Sequence, residues 1–479
     1  MLGEKVTLIW KHHKRRAACC CSESTRAWSN KRALELTPLR FGGLLLALLV
    51  SCGSARSAEV ATIVHAGTLL TPVDGQIKTL SSQTVVVIDE VVTLVTQGFV
   101  TRDSLGLGDE VAVRVIDARD EFVLPGLIDG HVHLTALPVG ARRNGFVTLS
   151  DADRAIIGAK AAKETLLAGF TTVRDLGARG PDSIYAIRDG IARGDIVGPR
   201  ILASGQTLTP TGGHIDRSSG FRPGLHDFFT PTGVCDGEDD CVKAVRMQVR
   251  DGADAVKLTS TGGVLSAAST GVGQQFNDSE LTAIVKTGHS LGRRVTAHAH
   301  GLDGINAALD AGADSIEHGT FLNESSVRRF KRNNAFLVPT LLAGDIITNW
   351  AEVEDSPLPA SQRLKGRTVG PQMLAAARFA HQSGVRIALG SDSGMAGHGQ
   401  NCREFELLTQ AGLSNEEALI TSFVNGAENL GVADRVGRIE KGFIGDMIIT
   451  SVNPMKEISA LCSISQVIKG GVPYISIGM

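Results

Sequence analysis

The apolar run Leu124-Pro-Gly-Leu-Ile-Asp-Gly-His131-Val-His133 ends in two histidines at positions i and i+2. Alternate side chains of an extended chain point to the same side, so both imidazoles can reach one metal ion. A bare His-x-His pair is as often two surface histidines, but the preceding strand and its glycines favour a ligand pair at a strand end. Lys257 lies inside the apolar strand Asp254-Ala-Val-Lys-Leu258, where an unpaired ammonium carries a heavy desolvation cost. It needs either a carboxylate partner, the plainer reading for Lys257 alone, or carboxylation by carbon dioxide to a carbamate that bridges two metals. His298 ends Val295-Thr-Ala-His, His318 ends Ser315-Ile-Glu-His, and Asp392 follows Ala388-Leu-Gly-Ser. Singly, each reads as a packed or capping residue. Coincidence at five strand ends reads differently. Mixed nitrogen and oxygen ligands on different strands are what a metal-dependent parallel α/β barrel presents at its mouth. Two divalent ions about 3.5–4 Å apart would bring a shared water near neutrality and polarise a scissile carbonyl. Asp392 would take the proton from that water and pass it to the leaving amine.

The elements that must position these groups follow from the pattern of the chain. Between residues 124 and 435, strand-like runs (Phe170–Asp175, Ala255–Leu258, Val295–His298, Ser315–His318, Leu337–Thr340, Val385–Leu389) alternate with amphipathic stretches such as Gly301–Ala311 and Pro371–Ser383. That alternation predicts a (β/α)8 TIM-like barrel; a doubly wound sheet is the runner-up, but no Gly-rich dinucleotide fingerprint opens any unit. Residues 59–123 and 436–479 carry short β-branched runs with Gly turns, which predicts a small β-sandwich built from both ends of the chain.

Composition agrees with one large domain and a small accessory one: 479 residues, 43% hydrophobic, 20% charged, net charge −2. No basic stripe in the body of the chain invites nucleic acid. Residues 1–58 differ. Nine Lys/Arg against three Glu in the first 40 residues lead into Phe41-Gly-Gly-Leu-Leu-Leu-Ala-Leu-Leu-Val50, followed by Ala55-Arg-Ser-Ala58. This reads as a targeting segment and predicts export, secreted or periplasmic; Leu49-Val-Ser-Cys52 also fits a lipoprotein box that would anchor the chain through Cys52. Beyond it only Cys235, Cys241, Cys402 and Cys462 remain of eight cysteines, an even number that permits disulfides, with Cys235 and Cys241 able to close a small loop. Asn277-Asp-Ser and Asn323-Glu-Ser are sequons that would matter only in a eukaryotic secretory pathway.

Taken together, these motifs resemble the amidohydrolase superfamily, in its imidazolonepropionase-like, prolidase-type branch of Xaa-Pro dipeptidases, carboxypeptidases and ochratoxinase-like amidases. The resemblance runs from about Glu59 to the C-terminus. It rests on the His131-Val-His133 strand, Thr171-Thr-Val-Arg-Asp-Leu-Gly177, Gly212-Gly-His214, Val256-Lys257 with Thr261-Gly-Gly263, Ala297-His298-Ala-His300-Gly301, Ile316-Glu-His318-Gly319 and Leu389-Gly-Ser-Asp392, and is supported by Asn425-Gly-Ala-Glu-Asn-Leu-Gly431 and Gly437-Arg-Ile-Glu-Lys-Gly442. It implies that His131 and His133 bind the more buried metal, that Lys257 is carboxylated and bridges, that His298 and His318 bind the second metal, and that Asp392 is both ligand and proton shuttle. It also places His214 and His300 near the substrate; relatives often carry Tyr where His300 stands. Arg174 with Asp175 is expected to be a structural pair beneath the mouth.

The resemblance implies hydrolysis of an amide bond in a short peptide or N-acyl amino acid, with two divalent ions, zinc best suiting the ligands and manganese or cobalt also fitting. A homo-oligomer is expected. The alternatives are a mononuclear deaminase or imidazolone-ring hydrolase on the same barrel, against which Lys257 argues, and a non-catalytic scaffold, against which the full ligand set argues.

Overall fold

A computed structural model describes residues 60–475, apart from 110, 179, 181 and 267–270. The expected targeting segment and Cys52 lie outside the described residues. Among those described, no helix is long and apolar enough to cross a membrane.

The β-branched runs near the start form strands β1 (Val60–Val73), β2 (Gln76–Ile88), β3 (Val91–Gln97) and β4 (Ala112–Pro125). Two-residue turns join β1 to β2 at Asp74-Gly75 and β2 to β3 at Asp89-Glu90, and all four turn residues have positive φ. That geometry matches the right-handed twist of the flanking strands. Eight strands follow in the middle of the chain: β5 (Leu127–Val132), β6 (Phe170–Asp175), β7 (Arg200–Ala203), β8 (Ala255–Thr259), β9 (Arg294–Ala299), β10 (Ser315–His318), β11 (Phe336–Val338) and β12 (Arg386–Ile387). The chain ends with β13 (Met447–Thr450), β14 (Ile464–Lys469) and β15 (Val472–Ile475).

Strands from both ends share one seven-stranded sheet in the order β15-β14-β13-β4-β1-β2-β3, joined where β13 pairs antiparallel with β4, Met447 opposite Pro125. The hydrogen-bonded arrangement is thus a single sheet, where the sequence suggests a sandwich of two. It curls back on itself: Val92 of β3 exchanges backbone hydrogen bonds of 2.8 Å with Phe443 and Gly442, just ahead of β13. Val64, Val85, Ile116, Ile449 and Ile468 meet in the apolar core enclosed by the curl. A curled sheet buries its inner face without needing a second one.

The middle strands are all parallel, in sheets of order β5-β6-β7 and β8-β9-β10-β11-β12. Leu208, past β7, bridges Leu258 of β8, and Val132 of β5 bridges Ser393, past β12, both in parallel. Every residue of β5, β6, β8 and β10 is buried. Strands covered on both faces need no solvent-facing polar alternation, and the polar residues they do carry, such as Arg174 and Glu317, are buried with them. Helices cover them and start on side-chain caps: Ser150 on Asp151–Leu167, Asn277 on Asp278–Ser290, Asn323 on Glu324–Asn333. The asparagine of each sequon is therefore also an N-cap, its side-chain oxygen accepting from the first turn.

Both cysteine pairs are closed, Cys235–Cys241 and Cys402–Cys462, the second across 60 residues. Loop-closure entropy predicts unequal effects, about 4 kcal/mol for the long loop and about 2 kcal/mol for the short one. Replacing Cys402 and Cys462 together by Ser should lower the thermal midpoint by roughly twice as much as replacing Cys235 and Cys241, read by calorimetry without reductant. Equal melting of the two double variants would count against that ranking.

Candidate metal centre

Residues at the C-terminal ends of β5, β8, β9 and β10, and just past β12, converge on one cavity of about 620 Å³. It is lined by His131, His133, Lys257, His298, His318 and Asp392, and by His214 and His300 as well. All eight sequence-predicted positions thus face one space. Glycine makes two of the close approaches. At Gly390 a Cβ would fall 2.8 Å from that of His131 and 2.3 Å from Val338, so only glycine lets the Asp392 segment lie against β5; at Gly263 it would strike the His214 ring at 2.3 Å.

Three consecutive strand ends turn through backbone that L-residues rarely adopt: φ is 72° at His318, 51° at Thr340 and 55° at Asp392. Each costs of order 1–3 kcal/mol and persists where the surroundings over-determine it. Backbone pairing does so at Asp392, whose N–H donates to the His131 carbonyl at 2.8 Å, while the His133 N–H donates to the Ser393 carbonyl at 2.8 Å. Asp129 lies beneath this junction, fully buried, accepting from the Ser391 hydroxyl (2.5 Å), Asn401 (2.7 Å) and the His131 N–H (3.0 Å).

The imidazoles are crowded and oriented. His298 lies 4.6 Å from His318 and 4.8 Å from His300, centroid to centroid, and stacks on His214 at 4.3 Å. Nδ1 of His131 is 2.7 Å from Glu317 Oε2. The hydrogen bond from His131, then the charges of Arg174 and Lys257, hold Glu317 ionised against the opposing effect of its burial, so it can only accept, Nδ1 must donate, and Nε2 keeps its lone pair for the cavity. Thr340 donates its hydroxyl proton to the Pro339 carbonyl at 2.7 Å and therefore accepts from Nδ1 of His318, also at 2.7 Å, which again frees Nε2. Holding a ligating imidazole by its second nitrogen is how metal sites fix tautomer and direction.

Burial first, and then neighbouring positive groups, hold His298 and His318 well below the usual histidine range. His131 is pulled to about 4 by burial and then by the Lys257 charge, and His300 to about 4 by burial. These rings are neutral at pH 7, the form that ligates a cation. Burial opposes ionisation of Asp392, but the nearness of His131 and a hydrogen bond from His133 Nε2 at 3.2 Å outweigh it and lower its pKa.

Ligand atoms of His131, His318 and Asp392 lie within 4.8 Å of one another, as do those of His298, His300 and His318. His318 belongs to both groups, whereas the sequence resemblance assigns it to one. Nε2 of His298 and Nδ1 of His133 are buried with no hydrogen-bond partner. Lys257 is 3% exposed, and no carboxylate among the described residues lies within the 4.0 Å of an ion pair. Its burial, partly offset by the more distant Glu317 and Asp392, brings it down to about 8. An aggregate of neutral imidazoles, one carboxylate and an unpaired amine is a donor set that fits divalent cations.

The expected pairing of Arg174 with Asp175 does not form. Consecutive strand residues point to opposite faces, and Arg174 instead reaches Glu317 Oε1 at 3.2 Å, while Asp175 accepts from the Leu134 N–H at 2.7 Å. Glu317 is the orienting residue that sequence reasoning passed over; the available signal was a glutamate in the strand Ser315-Ile-Glu-His, immediately before His318. Glu317→Gln should lower metal affinity about 10–100-fold and, by leaving buried Arg174 without its charge partner, destabilise by about 3 kcal/mol. Metal titration and calorimetry check both, and an unchanged metal affinity would refute the orienting role.

The amidohydrolase family profile matches residues 122–473. Ochratoxinase of Aspergillus niger is 29% identical over 436 residues, 86% of each chain. A solved Xaa-Pro dipeptidase with methionine bound in its active site superposes with a TM-score of 0.80 at 35% identity, over 87% of this chain and all of that one. The Aspergillus niger ochratoxinase structure gives 0.74 at 27% identity, over 88% of this chain and 97% of that one. With these likenesses beside the eight converging side chains, the chain belongs to the amidohydrolase family, in its prolidase and ochratoxinase-like branch, and is a hydrolase of carbon–nitrogen bonds.

Proposed function

We propose that this protein is a binuclear metal-dependent amidase that cleaves the amide bond of a short peptide or an N-acyl amino acid. The observation that carries the proposal is Lys257: buried, without a carboxylate partner, on the strand between the two groups of histidines. A salt bridge would have explained it blandly; a carbamate explains both its isolation and its place. The two parallel sheets and their two parallel bridges support reading β5 to β12 as a (β/α)8 barrel with the site at its C-terminal mouth. We assign His131, His133, Lys257, His298, His318 and Asp392 as ligands, zinc suiting the set best. When bound, such ions would activate water and polarise the substrate carbonyl.

The remaining chemistry belongs to the side chains. Asp392 is held ionised by His131 and His133 and accepts the proton of the attacking water. It then delivers that proton to the leaving nitrogen. His214 and His300 line the same cavity, and His300, neutral and hydrogen-bonded to Thr320 at 2.7 Å, is placed to hold the substrate. Reactivity requires the carboxylated lysine, and only the neutral amine attacks carbon dioxide, releasing one proton to solvent as the carbamate forms. Two disulfides support an oxidising compartment, in keeping with export.

Purified protein should carry close to two metals per chain and hydrolyse members of a panel of dipeptides and N-acyl amino acids. Asp392→Asn should lose roughly 10²–10⁴-fold in kcat, and Lys257→Ala should lose metal as well as activity. One metal per chain, or activity indifferent to Lys257, would move the assignment to a mononuclear deaminase or cyclic-amide hydrolase. A separate check uses pH. Because Lys257 is lowered to about 8, its neutral form becomes prevalent as pH rises through that value. Reconstitution of metal-free protein with metal at a fixed concentration of dissolved carbon dioxide should accelerate from about pH 6 to about pH 8 and then level off; a rate falling over that range would contradict carboxylation.

A further inference from the structure

A threonine at the start of a helix ordinarily caps it with its own hydroxyl. Thr340, which precedes the helix Leu341–Glu352, does not. Its hydroxyl is engaged elsewhere, donating to the Pro339 carbonyl and accepting from Nδ1 of His318, each at 2.7 Å. Its backbone is left-handed as well, at φ 51° and ψ 49°, where a β-branched residue is strained. The Thr340 carbonyl accepts from the N–H groups of Ala343 and Gly344 at 3.1 and 3.3 Å, which leaves those of Leu341 and Leu342 to be satisfied from outside the helix.

Glu404 supplies both partners. It sits on the helix Arg403–Gln410 with no solvent exposure, and accepts from the Leu341 N–H through Oε1 at 2.8 Å and from the Leu342 N–H through Oε2 at 2.7 Å. Among the described residues no cation comes within 4.0 Å of it. Burial pushes its carboxyl up to about 8, against the pull of those two hydrogen bonds. The turn that carries it is fixed in place: Asn401 donates to Asp129 at 2.7 Å and to the Ser391 hydroxyl at 3.1 Å, and Cys402 is closed to Cys462.

Capping alone needs no such arrangement. The helix's own threonine, or water, would satisfy its first turn without burying a carboxyl group that no cation faces. Thr340 supplies the reason. With the first turn gripped from outside, the hydroxyl that would otherwise cap it stays on His318.

We infer that Glu404 is a positioning residue for the metal centre: it takes over the cap of the helix Leu341–Glu352, holds Thr340 in its strained backbone, and so keeps the Thr340 hydroxyl as the acceptor that fixes His318. The inference rests on the amidase reading, in which His318 is a ligand, and extends it to a residue behind the cavity wall.

Metal-free wild type, Glu404→Gln, Thr340→Val and the double variant are titrated with Zn2+ against a chromophoric chelator, and each is loaded with Co2+ for its visible spectrum, which follows ligand geometry. Glu404→Gln keeps the size of the side chain but turns an amide NH2 toward one of the two N–H donors. It should weaken the more loosely held ion about tenfold and shift the Co2+ spectrum in the same sense as Thr340→Val. The double variant should bind within about twofold of Thr340→Val alone, because both changes act on one hydrogen bond. A Glu404→Gln variant that melts lower yet binds and absorbs like wild type is a structural cap only and overturns the inference. A double variant weakened by the product of the two single losses overturns it too. So does unchanged affinity in Thr340→Val while wild type binds two ions, an outcome that leaves the amidase reading standing. Should Glu404→Gln not fold, Glu404→Asp, whose shorter arm cannot span both N–H groups, goes through the same cycle. Uptake of a single ion by wild type sinks the binuclear reading alone, and the cycle is then read on that ion; uptake of none overturns both.

Discussion

The carboxylate of Glu317 is the constraint on which the candidate metal cluster depends. It has no solvent exposure, and a charge buried that completely is tolerable only if its lone pairs are filled. They are: Arg174 from β6, the hydroxyls of Thr296 from β9 and Ser315 from β10, and Nδ1 of His131 from β5 all converge on it. One side chain thereby ties four strands together below the cavity floor. Arg174 also donates to the Gly130 carbonyl at 2.9 Å, which locks β5 in register beside the histidine that Glu317 orients. Because His318 is the next residue after Glu317, the same strand that fills the floor delivers a candidate ligand to the cavity.

The cluster above that floor is costly in isolation. Three left-handed residues at successive strand ends store backbone strain, and closely spaced imidazoles give up hydration without finding partners for all their nitrogens. Protonation would not relieve the crowding, since burial and mutual repulsion push the rings the other way. A multivalent cation would relieve it, by taking up lone pairs that the protein has aimed but not satisfied. The unpaired Nε2 of His298 and the unsupported amine of Lys257 belong to the same logic. Stability here is given up locally for a preorganised donor set.

Much of this was legible in the sequence because the candidate ligands sit at the ends of strands that alternate with helical stretches. Phe170–Asp175 and Ser315–His318 have the expected bounds, and the six ligand positions with His214 and His300 do share one cavity. What sequence reasoning missed depends on spatial neighbours. Arg174 was paired with its adjacent acid, although strand geometry sends the two side chains apart and the true partner is 143 residues away. Glu317 stands within the Ile316-Glu-His318 motif, but nothing in the local pattern shows that Arg174, Thr296 and His131 meet it. The helix expected to open at Pro371 begins at Ala360 and runs through the proline. Close packing against the helix Leu341–Glu352, where a Cβ on Gly370 would lie 2.0 Å from the Thr348 hydroxyl, outweighs the local penalty. The expected sandwich is one curled sheet because hydrogen bonds from Val92 to the segment before β13 close it, a pairing that no local pattern announces.

Substrate choice is harder to read than chemistry because it lies on loops, yet these loops are not loose. The segment that carries His214 is tied at several points. The His214 N–H donates to Gln275 at 2.9 Å, and Asp216 accepts from the backbone of Gly212 and Ser218 at 2.8 and 2.9 Å. Thr209, one turn earlier, exchanges backbone hydrogen bonds with the strand-like segment that ends in the Cys235–Cys241 disulfide. His214 then stacks on His298, so the substrate loop leans directly on a proposed metal ligand. The loop and the cluster therefore share one ring contact, with the Cβ-free backbone of Gly263 making room for it.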